Sequence, residues 1–449
     1  MIKLKSIDKV VDYFKNSIIL LYCSTIIATL ILVLGLNLNA QHYRLLFNTL
    51  SYIIIIVGFI KFPVINSACF SAKDNILIGI LLTWFIFCIF RSIHIPFSNL
   101  TTMPRFLGGR LYSAALLAPL FVFWGGNLKV LISLWQFSKI FIVIFLILSP
   151  SLFFFENNYL WRLTYILPLF LLNKDKLEKE YVLYTYLAIG AVMLFFVITS
   201  ERNQFAKLFY YLVIISTFRI NNKLNSITNI SVKITGVITA GIIFCGFMYI
   251  YTGRLSKHFS DPIIVENIKS YEKDNLNSDT RTMVFEDFAI DFSKWPDLLY
   301  GRGALGTTYS PRFITLQELY NENENVFRFP YGHRLEVESG YLQIILKTGL
   351  LGLIPMIMIG LRAMFLGFYR TKNNLTIICA FIVLERLILM YPFGLPAYSI
   401  DYILFWLCIG ACLSEKIRSL SNNSIYLFFR VTELYQLISF SKEQRNFNK

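Results

Sequence analysis

A chain whose apolar runs recur at bilayer length has few folds open to it. In hydrocarbon every backbone N–H and C=O must find a partner inside the protein, which leaves helices and closed barrels. A spanning helix needs about 20 apolar residues, and a barrel strand about half that number. The runs here are of helix length and uniformly apolar rather than alternating: 17–38, 45–66, 75–92, 110–126, 128–152, 158–172, 181–199, 204–220, 232–251, 340–367, 375–392 and 397–413. The expected fold is therefore an all-α polytopic membrane protein with about twelve transmembrane helices. Composition agrees, since 56% of residues are hydrophobic and 15% charged, where a soluble domain carries roughly a quarter charged.

One polar stretch, 252–339, interrupts this pattern before the last three spans. It is too long for a turn and too charged for the membrane. Four regions follow: an N-terminal membrane domain, 1–251; a large loop, 252–339; C-terminal membrane helices, 340–413; and a basic tail, 414–449. No cleavable signal peptide is expected, because the first apolar run is long enough to remain in the membrane. Lysines flank one set of loop ends: Lys3, Lys5, Lys9 and Lys15, then Lys174, Lys176 and Lys179, then Lys223 and Lys233. The positive-inside rule puts that side, with both termini, in the cytoplasm and makes the large loop extracytoplasmic. The net charge of +15 reads as topology and attraction to the lipid bilayer, not as nucleic-acid binding. Residues 424–440 have the pattern of an amphipathic helix on the inner surface.

The other side favours arginine: Arg44, Arg91, Arg105, Arg110 and Arg202, then Arg254, Arg281, Arg302, Arg312, Arg328 and Arg334 in the loop. A guanidinium stays charged and grips phosphate oxygens with two parallel hydrogen bonds. The set suits a lipid-linked pyrophosphate, with scattered loop charges and snorkelling anchors as the plainer reading. Arg202 lies in the short turn Thr199-Ser-Glu-Arg-Asn-Gln, which holds its charge close to the bilayer. Glu385, Arg386 and Asp401 are charges within spans, either structural or lining a cavity.

Within the loop, Met283, Phe285, Phe288 and Phe292 have helical spacing, and Trp295-Pro296-Asp297 reads as the break that ends that helix. Gly301-x-Gly303-x-x-Gly306 matches a dinucleotide fingerprint by letter only, since it lacks the strand–turn–helix unit that motif requires. Two readings remain: glycines that let backbone N–H groups approach an anion, with Arg302 among them, or a plain turn. His333, Glu336 and Glu338 precede the tenth span. Either the acids occupy the first helical turn, where the dipole favours them, or one of the three is a general base. The seven cysteines all fall in or beside apolar runs, so no metal site is expected in the loop, and no cofactor.

The segment Glu338-Ser-Gly-Tyr-Leu-Gln-Ile-Ile-Leu-Lys-Thr-Gly-Leu-Leu-Gly resembles the loop-exit helix of the O-antigen ligase and polymerase superfamily of bacterial envelope enzymes. Arg281-Thr, Gly301-Arg-Gly-Ala-Leu-Gly and Thr199-Ser-Glu-Arg202 resemble its earlier patterns, in the same order. The resemblance implies metal-independent glycosyl transfer on the outer face of the bacterial inner membrane. Donor and acceptor are undecaprenyl-pyrophosphate-linked oligosaccharides, and a chain-length regulator and a flippase are expected partners. It gives Glu338, His333 and Arg281 catalytic roles, and Arg202, Arg302 and Arg312 the pyrophosphate. The acidic exit from the loop looks more like polymerases of O-antigen or capsule than like ligases, which transfer glycan to lipid A–core. A lipid-linked oligosaccharide flippase is the alternative of another class, although no internal repeat of the transporter kind is evident.

Overall fold

The computed structural model describes residues 70–92, 116–153, 179–198, 287–293, 295–310, 333–334, 339–390 and 400–425, with isolated positions between 16 and 57 and at 337, 427 and 428. The expected spans 158–172, 204–220 and 232–251 lie outside the described residues. So do most of 17–38 and 45–66 and the tail beyond 428.

The described residues are predominantly helical. In chain order they form α1 (Ala72–Phe90), a 3-10 turn (Ala118–Leu120) running into α2 (Phe121–Gly125), α3 (Leu128–Leu148), α4 (Lys179–Ile198) and α5 (Trp295–Tyr300). Two short strands follow, β1 (Thr308–Tyr309) and β2 (His333–Arg334), then α6 (Gly340–Tyr369), α7 (Asn374–Leu389), α8 (Ile400–Leu413) and α9 (Glu415–Ser419). Six of these helices coincide with apolar runs and begin or end within a few residues of them. Three of them start behind a side chain that satisfies one of the first free N–H groups. Ser71 Oγ accepts from Asp74 N–H at 3.2 Å, Asn127 Oδ1 from Lys129 N–H at 3.0 Å, and Asn373 Oδ1 from Thr376 N–H at 2.9 Å.

Helices α6, α7 and α8 pack on one another, α1 lies along α6, and α8 crosses α2. The α2–α8 crossing brings backbone against backbone. A Cβ on Gly125 would sit 2.0 Å from Leu407 O, and one on Gly410 2.0 Å from Val122 O. Small residues at a crossing permit this close approach. Nearly all of α8 is buried. By contrast α1 and α6 turn large apolar side chains outward: Ile76, Ile80 and Phe90 on one, Ile354, Met358 and Phe365 on the other. Both helices are long and apolar enough to cross a membrane. A water-facing helix carries polar residues on that outer face.

Two ion pairs among the described residues join helices. Arg386, 3% exposed, donates to Asp401 at 2.8 Å, and its guanidinium lies 5.6 Å from the Tyr402 ring centre. This makes Arg386 and Asp401 a structural pair joining α7 to α8. Arg362 on α6 pairs with Asp74 at the start of α1.

Candidate functional site

The site begins with a break in a membrane-length helix. Gly349, inside α6, has φ 66° and ψ −172°, a conformation open essentially to glycine alone. A break of this kind frees the carbonyls of the preceding turn. Leu346 O accepts from Arg302 N–H at 2.7 Å, and Lys347 O from Gly303 N–H at 3.1 Å. Thr348 O accepts from the Trp84 indole at 2.7 Å. The break and the glycine turn of the loop are thus complementary.

The rest of that turn is consumed in the same way. Ala304 N–H donates to Cys88 O at 3.1 Å and Leu305 N–H to Ser92 Oγ at 3.0 Å. Gly301 N–H donates to Asp297 O and Gly306 N–H to Gly303 O. Every backbone N–H from 301 to 306 is therefore engaged within the protein. The anion-cradle reading of the glycine run is corrected on this ground: the glycines serve a backbone-to-backbone joint. Gly301 and Gly303 have φ of 67° and 83°, and a Cβ on Gly301 would lie 2.6 Å from Gly349 N. Beside the joint Lys347, 1% exposed, donates from Nζ to Gly306 O at 2.7 Å.

Arg302 is held by acids. Nε donates to Asp297 at 2.8 Å, one terminal nitrogen to Asp291 at 2.6 Å and to Thr307 O at 2.9 Å, and the other to Asp291 Oδ1 at 3.2 Å. Phe292 covers the guanidinium from 4.4 Å and stacks on Phe288 at 4.2 Å, so two of the phenylalanines expected on one helical face do share it. Arg302 thus organises the loop, with its donors turned inward. Burial alone would push the Asp291 carboxyl up; hydrogen bonds from Arg302, Tyr309 N–H and the Thr308 hydroxyl outweigh it and hold Asp291 below the usual carboxylate range. The same acids raise Arg302 despite its burial.

Asp291 also fixes the strand that carries the next element. Its Oδ2 accepts from Thr308 Oγ1 at 2.8 Å and from Tyr309 N–H at 2.9 Å, and Asp287 accepts from Ser310 Oγ at 2.5 Å. Strand β1 pairs antiparallel with β2, Tyr309 opposite His333. The Thr307 hydroxyl lies 3.0 Å from His333 Nδ1, and the half-buried imidazole sits 5.4 Å from the Tyr309 ring. Arg302 and His333, far apart in sequence, therefore both contact Thr307, one at its carbonyl and one at its hydroxyl.

No protein-family model, no curated protein and no solved structure matches the chain. Of the residues expected to form the site, Arg202, Arg281, Arg312 and Glu338 lie outside the described residues. Helix α6 begins at Gly340 behind an N-cap at Ser339, where the apolar run starts, so the reading in which Glu336 and Glu338 occupy its first turn is corrected. The helical segment before Trp295 already ends at Asp291, so the expectation that Trp295-Pro296-Asp297 breaks that helix is corrected: the three residues open α5, because proline is well suited to a first helical turn. Sequence reasoning did not single out Asp287, Asp291, Thr307 or the buried Lys347. The one-turn spacing of Asp287 and Asp291 was visible beside the phenylalanine pattern; the Thr307–His333 contact depends on a strand pairing that no local signal carries.

Proposed function

We propose that the protein is a membrane glycosyltransferase that polymerises undecaprenyl-pyrophosphate-linked oligosaccharide repeat units on the outer face of the bacterial inner membrane. The observation that supports this reading best is the mounting of His333. A small hairpin, pinned by Asp291 and Arg302 and joined to a broken membrane-length helix, holds an imidazole with its Nδ1 engaged by Thr307. A reaction between two lipid-linked substrates needs a base at the loop–membrane boundary, held rigidly.

In the proposed reaction a hydroxyl of the acceptor sugar attacks the anomeric carbon of the donor. The new glycosidic C–O bond forms as the bond to the carrier pyrophosphate breaks. The bonding pair leaves on the pyrophosphate oxygen, and the hydroxyl proton passes to His333 or Glu338. Arg202, Arg281 and Arg312 are the guanidinium groups proposed to meet the developing phosphate charge. Arg302 acts at one remove, by fixing the hairpin.

The test is the surface-glycan profile of a strain lacking this gene, with lipid-linked intermediates extracted alongside. A single repeat on lipid A–core, or single-repeat carrier on the outer leaflet, is the expected result. Long glycan on its carrier with bare core would instead mean a ligase. Repeats trapped on the cytoplasmic side would mean a flippase and would overturn the loop chemistry.

A further inference from the structure

The charge count of residues 252–339 suggests a loop in water, yet the hydrogen bonds of its middle part run along membrane-length helices. Gly349, which touches Leu299 and Gly301, lies nine residues into α6, or about 13 Å along the axis at ~1.5 Å per residue. On α1 the indole of Trp84 lies 6.0 Å from the Tyr300 ring. Trp84 is six residues short of the end of that helix, which by the same rise is ~9 Å from its loop-side end. Arg91 donates to Tyr300 O at 3.0 Å, and Ser92 closes the turn at Leu305. The segment 295–306 therefore descends beside α1 and α6 from their loop-side ends.

Two further features fit that depth. Irregular backbone is tolerated at membrane level only where its polar groups are taken up by protein, and every N–H from 301 to 306 is so taken up. Helix α5, Trp-Pro-Asp-Leu-Leu-Tyr, has no buried residue, with Trp295 65% and Tyr300 45% exposed. Its one charge, Asp297, is neutralised by Arg302 at 2.8 Å. The exposed face continues into Phe87 and Phe90 of α1, which are 49% and 62% exposed. A six-residue helix this apolar and this uncovered is poorly suited to water.

We infer that residues 295–306 form a re-entrant element seated in the lipid leaflet on the loop side, with Trp295 and Tyr300 at the boundary between acyl chains and headgroups. Tryptophan and tyrosine are the side chains that favour this boundary. The occupant of the exposed face is phospholipid, recognised by apolar contact and by the indole and phenol edges. The inference stands whether or not the proposed reaction does. Its consequence for any lipid substrate is that the Arg302 clamp sits at the membrane rather than out in the aqueous loop.

The experiment uses the full chain in vesicles of phosphatidylethanolamine and phosphatidylglycerol. Photoreactive benzoylphenylalanine replaces Trp295 or, in a second variant, Tyr300. Ile354, 51% exposed on α6, serves as the lipid-facing control, and Lys416, exposed at the opposite end, as the aqueous one. Only variants that elute as the parent does on gel filtration are irradiated. Phospholipid adducts at 295 or 300 at least fivefold above those at 416 are expected. A smaller excess at both positions, or crosslinks only to protein, overturns the inference, because the face is then covered by chain or by water.

Discussion

Replacing Gly349 by alanine is the sharpest test of the joint. The residue sits at φ 66°, ψ −172°, and a Cβ there would lie 2.1 Å from Leu299 O and 2.6 Å from Gly301 N. The backbone conformation itself costs a non-glycine residue about 1–3 kcal/mol. Relieving the contact requires the glycine turn to move off α6, which weakens the bonds of Arg302 N–H and Gly303 N–H to Leu346 O and Lys347 O, each worth about 1 kcal/mol. A loss of about 3 kcal/mol in the local stability of the joint follows as a central figure from those two sources. That is roughly a hundredfold rise in the opening constant. Hydrogen exchange of the amides at 301–306, read by mass spectrometry on purified protein, measures it directly. Gly79→Ala is the control, since a Cβ there meets nothing within 4 Å and helical alanine is favoured over glycine by up to about 1 kcal/mol. Exchange in Gly349→Ala within threefold of the parent would refute the claim that glycine is required at the break.

Breaking the Arg386–Asp401 pair by Asp401→Ala leaves a nearly buried guanidinium and should cost about 3–5 kcal/mol, whereas Arg386→Met with Asp401→Leu should recover most of that; thermal unfolding of the three variants in one detergent compares them. Asp291 has a folded pKa below its unfolded value of about 3.9. Its stabilisation is therefore complete above about pH 5 and is lost as pH falls through the lower folded value. Proteolysis of the loop should accelerate in that acid window in the parent and become nearly pH-independent there in Asp291→Asn. If His333 acts as the base, Thr307→Val should reduce glycan polymerisation in cells about tenfold, while Thr307→Ser, which keeps the hydroxyl, should restore it; unchanged polymerisation in Thr307→Val and in His333→Ala would remove the imidazole from the mechanism. Gly410→Leu should separate α2 from α8 and abolish accumulation of folded protein, because its Cβ alone meets Val122 O at 2.0 Å; a normal yield on gel filtration would contradict the crossing.

Much of the scaffold is legible without coordinates. Hydropathy is a property of each residue and survives any packing, so the helices at 72–90, 128–148, 179–198, 340–369, 374–389 and 400–413 appear where the apolar runs lie. Local caps are equally readable, because a serine or asparagine acts on N–H groups two or three residues away. The stacked Phe288 and Phe292 follow from helical spacing for the same reason. The break at Gly349 was not legible. Lys347-Thr-Gly is an unremarkable tripeptide in an apolar run, and its strain is offset by the N–H groups of Arg302 and Gly303, which donate to the carbonyls the break frees.

The functional residues divide along the same line. The sequence alone marks a membrane-length helical chain, a polar stretch at 252–339, and His333 and Arg302 as chemically capable groups within it. Only the tertiary structure turned Arg302 inward onto Asp291 and Asp297, paired Arg386 with Asp401, and brought Thr307 to His333. Residue type decides what a side chain can do, and that is written locally. Which partner it meets is decided by hydrogen-bond satisfaction across the whole fold, where a guanidinium beside two carboxylates is held by them and a carbonyl freed by a broken helix takes the nearest N–H.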